Sequence, residues 1–418
     1  MIFSVFLYND KFAMQLHKII TPDFFNRFQC VGPECLILCC RGWAVIIDEK
    51  THKKYISSSH PGISKIAKEN LILRNKGEGD YSIIKMNEKG ECPFLNQNKL
   101  CMVHQDLGES ALSYTCSSYP RLRNCFDDQT RHIMSLSCPE VVRLVLFEPD
   151  AMVLQQQERE LTKYETHLVE QRPSVTQAEK VVHLFAWNLI KSPAVKIEEN
   201  LMALTQFILY LQSINFDLQS HLTDVENVYE ALLAELQGGI SLLGPGNLTR
   251  TNAIRYLALS AMGKFFANKN VRDSFIINEH QTVIEYLGYT NQTDPTELDA
   301  KFDKINQQWQ MLCRESCLSE PWVLRNYLLY KLYSTYFPAN NMATIMHQLY
   351  RIVLDFFYVK TVLSVKSMQE DIDQKAVMKT LASFSAYMMH DKKINDRMDN
   401  AIDIINSDDK FSCLLLIG

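Results

Sequence analysis

Twelve cysteines occur in this chain, and nine of them fall between residues 30 and 138. These are Cys30, Cys35, Cys39, Cys40, Cys92, Cys101, Cys116, Cys125 and Cys138, while Cys313, Cys317 and Cys413 lie beyond. The apolar start, Met1 to Tyr8, has no basic leader and is too short for a signal peptide, so no secretion is expected. Thiols gathered in a chain of that kind point to thiolate metal ligands rather than disulfides, because the cytosol keeps thiols reduced.

The spacing refines the chemistry. Cys30, Cys35, Cys39 and Cys40 read C-x4-C-x3-C-C, and Cys92, Cys101 and Cys116 read C-x8-C-x14-C, with Cys138 following at a distance. Pro93 and Pro139 each follow a cysteine directly, as in the bacterial ferredoxin run, where proline turns the chain away from the cluster. Adjacent side chains in an extended segment point to opposite faces, so Cys39 and Cys40 reach different sites, or one ligates while the other packs. His104 adds a C-x2-H pair with Cys101. Iron–sulfur and zinc both accept all-thiolate sites. No pair of C-x2-C knuckles supports a zinc ribbon. The C-x3-C-x2-C loop of radical enzymes is also missing, because Gly42 stands where its third cysteine would be. The two Cys-Pro steps favour iron–sulfur, with zinc as the alternative. Taken as ligands are Cys30, Cys35, Cys39, Cys40, Cys92, Cys101, Cys116 and Cys138; Cys125, in the polar run Arg123-Asn124-Cys125, is set aside first.

The surrounding segments must hold these thiols with little regular structure. Gly77 to Asp80 and Asn87 to Glu91 are turn signals flanking a short strand at Tyr81–Ile84, and Ala44–Ile47 is a second. From about Gln155 to Asn406 apolar residues recur at three and four, which predicts long helices and few strands. Examples are Glu179–Leu189, Asn200–Ile214, Val225–Leu236, Ala253–Phe266 and Pro321–Tyr336, with breaks at Gly238-Gly239, Gly244-Pro245-Gly246 and Pro338. The fold class is therefore mainly α. An irregular Cys-rich metal-binding region with short strands covers residues 14–150, and a multi-helix region covers 151–418.

Composition excludes some partners. Of the 418 residues 47% are hydrophobic and 22% charged, with a net charge of −5 and no block of one sign, so no nucleic-acid partner is expected. The most apolar stretch, Leu349–Val365, carries Arg351, Asp355 and Lys360 and reads as a buried helix, not a membrane span. A cytoplasmic protein is expected.

The segment Cys30-Val-Gly-Pro-Glu-Cys35-Leu-Ile-Leu-Cys39-Cys40-Arg-Gly-Trp43, with Ile47-Asp48, resembles the opening motif of the flagellin lysine N-methylase family. The second motif is closer: Cys92-Pro-Phe-Leu95, Leu100-Cys101, Leu107-Gly-Glu109, Leu112-Ser113, Thr115-Cys116 and Tyr119-Pro-Arg121, closed by Leu136-Ser-Cys138-Pro-Glu140. Weaker similarity continues at Asn326-Tyr327-Leu328, Phe337-Pro338 and Ser383-Phe-Ser385 with His390, so it spans roughly residues 14 to 395. The opening dozen residues and the polar stretch from Glu49 to about Asn70 do not align.

The resemblance implies methyl transfer from S-adenosylmethionine to lysine ε-amino groups of flagellin. No glycine-rich turn after a strand offers the usual nucleotide cradle, so such a cofactor would bind outside the doubly wound methyltransferase fold. The reaction needs a neutral amine, obtained by burial or a nearby proton acceptor, and aromatic or carboxylate groups facing the sulfonium. Trp43, Asp48, Tyr114, Tyr119 and Glu109 lie close enough in sequence to serve, but packing and helix-opening roles explain each as well. Arg121 and Arg123 fit a role offsetting thiolate charge. Tyr327, Tyr330, Tyr333 and Tyr336 step around a helix and read as a mixture of core and surface. No catalytic residue is assigned. The alternative to an enzyme is a non-enzymatic zinc- or iron-chelating module whose helices bind a protein partner.

Overall fold

A computed structural model of the protein describes residues 16–42, 45–74, 78–126, 129–161, 169–243, 248–266, 275–288, 294–338, 344–390, 394–406 and 412–417. It is mainly helical, with short strands concentrated before residue 173. Two sheets organise that first part. The larger has the order β7-β1-β6-β5-β8, formed by β1 (Leu16–Pro22), β5 (Arg121–Phe126), β6 (Gln129–Met134), β7 (Leu154–Glu160) and β8 (Val169–Arg172). β1 lies parallel to β6 and antiparallel to β7, while β5 is antiparallel to β6 and parallel to β8. The smaller sheet is β2 (Ile46–Ile47), β4 (Ser82–Ile84) and β3 (Leu71–Leu73), in that order.

Both short strands expected from the sequence are present, at Ile46–Ile47 and Ser82–Ile84. Two features differ from expectation. The polar stretch after Asp48 folds into α2 (Glu49–Ile56) and α3 (Pro61–Asn70), following α1 (Asp23–Arg27). Asp48 caps α2 by accepting from the Thr51 amide at 2.8 Å, and His60 caps α3 with Pro61 at its first turn. Strands also persist past residue 150: β7, sequence LQQQERE, is almost wholly exposed and pairs along its length with β1. A strand exposed on both faces has no apolar alternation to betray it.

Beyond the sheet come α6 (Pro139–Phe147), α7 (Gln177–Lys191), α8 (Ile197–Ser213), α9 (Leu222–Gln237), α10 (Leu248–Phe266) and α11 (Phe275–Leu287). They are followed by α12 (Pro295–Glu315), α13 (Pro321–Thr335), α14 (Ile345–Ser367), α15 (Gln374–His390), α16 (Ile394–Asn406) and α17 (Ser412–Ile417). The capping box Thr176/Glu179 starts α7, with Glu179 accepting from the Thr176 amide at 2.7 Å and Thr176 from the Glu179 amide at 3.2 Å. α14 is the central strut, buried at every residue from Ile352 to Val365 and packed by α8, α11, α12, α15, α16 and α17. Its charges are paired: Asp355 with Lys331, Lys360 with Glu198 at 3.3 Å, and Arg351 with Asp399 at 2.6 Å. No helix among the described residues is long and apolar enough to cross a membrane.

The tyrosines of α13 join the helices to the larger sheet. Tyr327, Tyr330 and Tyr333, with Tyr336 just past the helix end, are all buried, so none is a surface aromatic. Tyr330 donates to the Met134 carbonyl at 2.8 Å, and the Tyr333 hydroxyl lies 2.9 and 3.1 Å from the carbonyls of Ile20 and His132. Tyr336 leaves the helix in the left-handed conformation, φ +53°, which returns its ring to the sheet instead of letting it drift around the axis. There it accepts from Gln129 at 2.8 Å and lies 3.5 Å under the Arg131 guanidinium.

Two inward-facing histidines, half-buried His183 and buried His280, make this architecture acid-sensitive. Burial, with Arg131 adding repulsion, holds His183 down to about 3, and burial alone holds His280 down to about 4. An unfolded histidine takes its proton near pH 6.5. Their contribution to stability is thus complete above about pH 6.5 and declines as pH falls toward 4, on the order of 1 kcal/mol per pH unit for each. Melting temperatures should hold between pH 7.5 and about 6.5 and fall from there to pH 5, and His280→Phe should flatten the slope. A pH-independent melting temperature over that range would contradict the burial of both rings.

Candidate metal centre

The first cysteine segment is a run of tight turns. Gly32, at φ +57°, opens a turn in which the Cys35 amide donates to Gly32 O at 3.1 Å, and the Cys35 thiol donates to Ile37 O at 3.0 Å. After Cys40 the chain pairs with residues 90–92. Gly42 N donates to Gly90 O at 2.9 Å, Arg41 bridges Glu91, and Cys92 N donates to Cys40 O at 2.8 Å. Gly42 at φ +86° and Gly90 at φ +76° take the left-handed conformations these turns need. This pairing sets Cys40 beside Cys92, although they stand far apart in sequence.

The second segment returns on itself. Asn96 accepts from the amides of Asn98 and Leu100 at 2.9 and 3.0 Å, and Leu95 bridges Cys101. Cys101 thus caps α4 (Met102–Leu107), whose first amide donates to Phe94 O at 2.8 Å. Cys116 lies in α5 (Tyr114–Ser118), where Ser113 accepts from its amide at 3.2 Å. Thr115 fastens that helix to β2 by donating to Ile46 O at 2.8 Å. The four thiols of Cys40, Cys92, Cys101 and Cys116 share one small core with Val45, Ile47, Tyr55, Ile63 and Phe94.

Cys138 belongs elsewhere. It caps α6 and packs in the large core, against which Ile37 and Tyr119 also rest. Cys35 has Cys39, Cys30 and Glu140 among its electrostatic neighbours, and Cys138 has Cys35 and Cys39. Glu140 is held by the Arg143 guanidinium at 2.8–3.1 Å, so its carboxylate is already committed. Cys125 packs with Ile19 and Leu161 on the sheet, as a small hydrophobe.

Burial dominates the thiol electrostatics. It pushes Cys92 up to about 12, Cys116 to about 11 and Cys138 to about 12, and raises Cys101 and Cys35 as well. Cys39 alone is lowered, to about 7, by its hydrogen bond with the Cys40 thiol, which raises Cys40 in turn. Buried thiols lose their protons readily only to a cation, so these donors suit a metal better than a free nucleophile. Among the described residues no three His, Cys, Asp or Glu side chains are gathered at single-ion spacing. Tetrahedral zinc would need its sulfurs about 3.8 Å apart, given Zn–S bonds of about 2.3 Å. Four thiols around a shared core are the donor type of both zinc and iron–sulfur centres.

The other residues singled out in sequence have ordinary places. Asp48 is a helix cap, Tyr119 bonds Ser137 at 3.0 Å, Glu109 opens a single turn, and His104 is exposed. Tyr114 is half-buried beside Asp48. Arg121 lies 5.1 Å over the Phe28 ring rather than on the thiols, and Arg123 is buried within β5. Trp43 and the His390 side chain fall outside the described residues. A surface hollow of about 510 Å³ at Ser58, Pro61, Lys65 and Glu69 offers no aromatic face to a sulfonium, and no cofactor pocket is assigned. Sequence reading missed the joint of Arg131, His183, Tyr333 and Tyr336; the three-residue tyrosine step was its one visible signal.

Residues 183–416 match the model of the FliB lysine N-methylase C-terminal domain. The chain belongs to the FliB lysine N-methylase family. It is 28% identical over 404 residues to a protein named lysine-N-methylase from Salmonella typhimurium, covering 96% of this chain and 98% of that relative. The lysine-N-methylase of Salmonella choleraesuis gives the same identity and coverage. A third relative, the flagellar biosynthetic protein FliU of Salmonella muenchen, is 41% identical over 137 residues, which is 32% of this chain and 81% of FliU. No solved structure matches. The FliB domain match takes in every helix from α8 to α16, so the family relationship rests on the helical part as well as on the similarity that runs through the cysteines.

Proposed function

We propose that the protein is a cytoplasmic lysine N-methyltransferase that moves methyl groups from S-adenosylmethionine to surface lysines of flagellin, and that it carries a cysteine-ligated iron–sulfur centre. The observation that carries this reading is the near end-to-end match to relatives named lysine-N-methylase. Flagellin as substrate is supported by the flagellar name of FliU and by the motif from Cys92 to Arg121. Iron–sulfur is favoured over zinc by the prolines that directly follow Cys92 and Cys138, as in the bacterial ferredoxin run.

When bound, S-adenosylmethionine supplies the methyl group on a sulfonium. The protein's part is to seat a flagellin lysine with its amine neutral, which requires removing a proton from a group of ordinary pKa near 10.4. Co-expression with flagellin tests the reading by intact mass: flagellin should gain increments of one methyl group on surface lysines. Flagellin of unchanged mass in a competent host would overturn the enzyme reading and leave a metal-chelating module.

A further inference from the structure

We propose that Arg131, with Arg172 beside it, is the carboxylate-binding end of the methyl-donor site, holding the amino-acid carboxylate of S-adenosylmethionine. This deepens the reading above and rests on its choice of methyl donor.

The two arginines share one face of the larger sheet. Arg131 on β6 stands opposite Asn124 on β5, and Asn124 stands opposite Glu170 on β8, with Arg172 two residues farther along that strand. Directly opposed residues put their side chains on one face, and Arg172 donates to the Asn124 side chain at 3.3 Å. α7 and the end of α13 cover this face with His183, Tyr333 and Tyr336. Both arginines precede the matched FliB domain and the three covering residues lie within it, so the site draws on both parts of the chain.

Arg131 lacks a counter-charge. It is 5% exposed, and its guanidinium reaches the Tyr333 carbonyl at 3.4 Å, His183 Nε2 at 3.3 Å and the Tyr336 ring face at 3.5 Å. His183 is a neutral acceptor there. Its Nδ1 lies 2.7 Å from the Phe337 carbonyl, which only accepts, so Nδ1 carries the proton and Nε2 the lone pair. Among the described residues no carboxylate bonds Arg131, and its Nε is shut from solvent without a partner. A buried charge is costly unless an opposite charge and hydrogen bonds complete it. Arg172 repeats the pattern: its Nε is also buried without a partner, and Glu170, at 3.0 Å, is its one carboxylate among the described residues. Two guanidiniums against one carboxylate leave a positive charge and two unused donors for an incoming anion.

A planar guanidinium recognises a carboxylate with paired N–H bonds. The side chains of Arg172 and Glu170, 25% and 35% exposed, open the site to solvent, while Arg131 lies at its floor. Glu170 supplies a negative charge, and the half-buried Trp187 ring, 6.3 Å from His183, supplies an aromatic face. Both suit the sulfonium and ammonium that the donor carries besides its carboxylate, and a free inorganic anion would gain from neither.

Calorimetric titration of the unaltered full-length protein with S-adenosylmethionine and with its decarboxylated analogue tests the assignment and needs no variant to fold. The analogue lacks only the carboxylate and should bind about 10- to 100-fold more weakly, as expected for lost charge-assisted hydrogen bonds. Arg131→Gln should weaken S-adenosylmethionine by a similar factor and leave the analogue's affinity unchanged. Arg172→Gln, at the more exposed arginine, should act in the same direction. Equal affinity of the unaltered protein for the two ligands overturns the carboxylate site and leaves the choice of donor standing. A gap that persists undiminished in both variants, or equal weakening of both ligands, does the same. Unaltered, folded protein that does not bind S-adenosylmethionine overturns the choice of donor and this site together.

Discussion

On the proposed metal reading, stripping the metal by chelation should unfold the segment from about residue 40 to 118 while leaving the helical core folded. The small core there has ten buried residues, and its elements are strands of two or three residues and helices of five to ten. Helices shorter than about 12 residues are marginal alone, and a core this small cannot offset the ordering of its own loops. A structural four-thiolate metal contributes on the order of 10 kcal/mol, enough to decide whether the segment folds. α14, buried along its length by six other helices, has no such dependence. Hydrogen exchange should show protection lost at the amides of Cys92, Met102 and Cys116 and kept across Ile352–Val365. Unchanged protection from 40 to 118 in metal-free protein would contradict the account.

Lys360→Met is expected to cost about 3–5 kcal/mol, because it leaves the Glu198 carboxylate buried without its counter-charge. Lys360 and Glu198 are both more than nine-tenths buried, 3.3 Å apart, and Glu198 also accepts from the Trp309 indole at 2.6 Å. Burial lowers the lysine's pKa, with Glu198 opposing that shift, so the ammonium depends on its partner. Adding Glu198→Gln should recover most of the loss, since the amide carbonyl still accepts from Trp309 while no charge remains. Urea unfolding of the two variants separates the outcomes. A single variant within about 1 kcal/mol of the parent would show that the pair contributes little.

The pattern of these elements was legible in uneven measure. Long amphipathic helices announce themselves, and Glu179–Leu189, Asn200–Ile214, Val225–Leu236 and Pro321–Tyr336 all lie on or within a residue or two of observed helices. Gly244-Pro245-Gly246 lies outside the described residues. The two helices after Asp48 carried readable signals, an Asp cap and a His-Pro start, but their many polar residues obscured the apolar stripe. β7 was not readable at all, because a strand exposed on both faces has nothing periodic to show. Among the cysteines, clustering was evident, yet partnership was not. Cys40 meets Cys92 through backbone pairing between turns, a tertiary relation that spacing does not encode. The tyrosine step of α13 pointed to a drifting face, and only the left-handed exit at Tyr336 redirects it onto the sheet.

The central claim, lysine methylation by a member of this family, is tested most directly with purified components. The full-length protein, loaded with metal without oxygen, would be incubated with purified flagellin and S-adenosylmethionine carrying an isotopically labelled methyl group, and the flagellin then digested and mapped by mass spectrometry. The account predicts labelled mono-, di- or trimethyl groups on surface lysines of flagellin, and none when the methyl donor or this protein is omitted. Flagellin lysines that stay unlabelled with metal-loaded, folded protein present would contradict it.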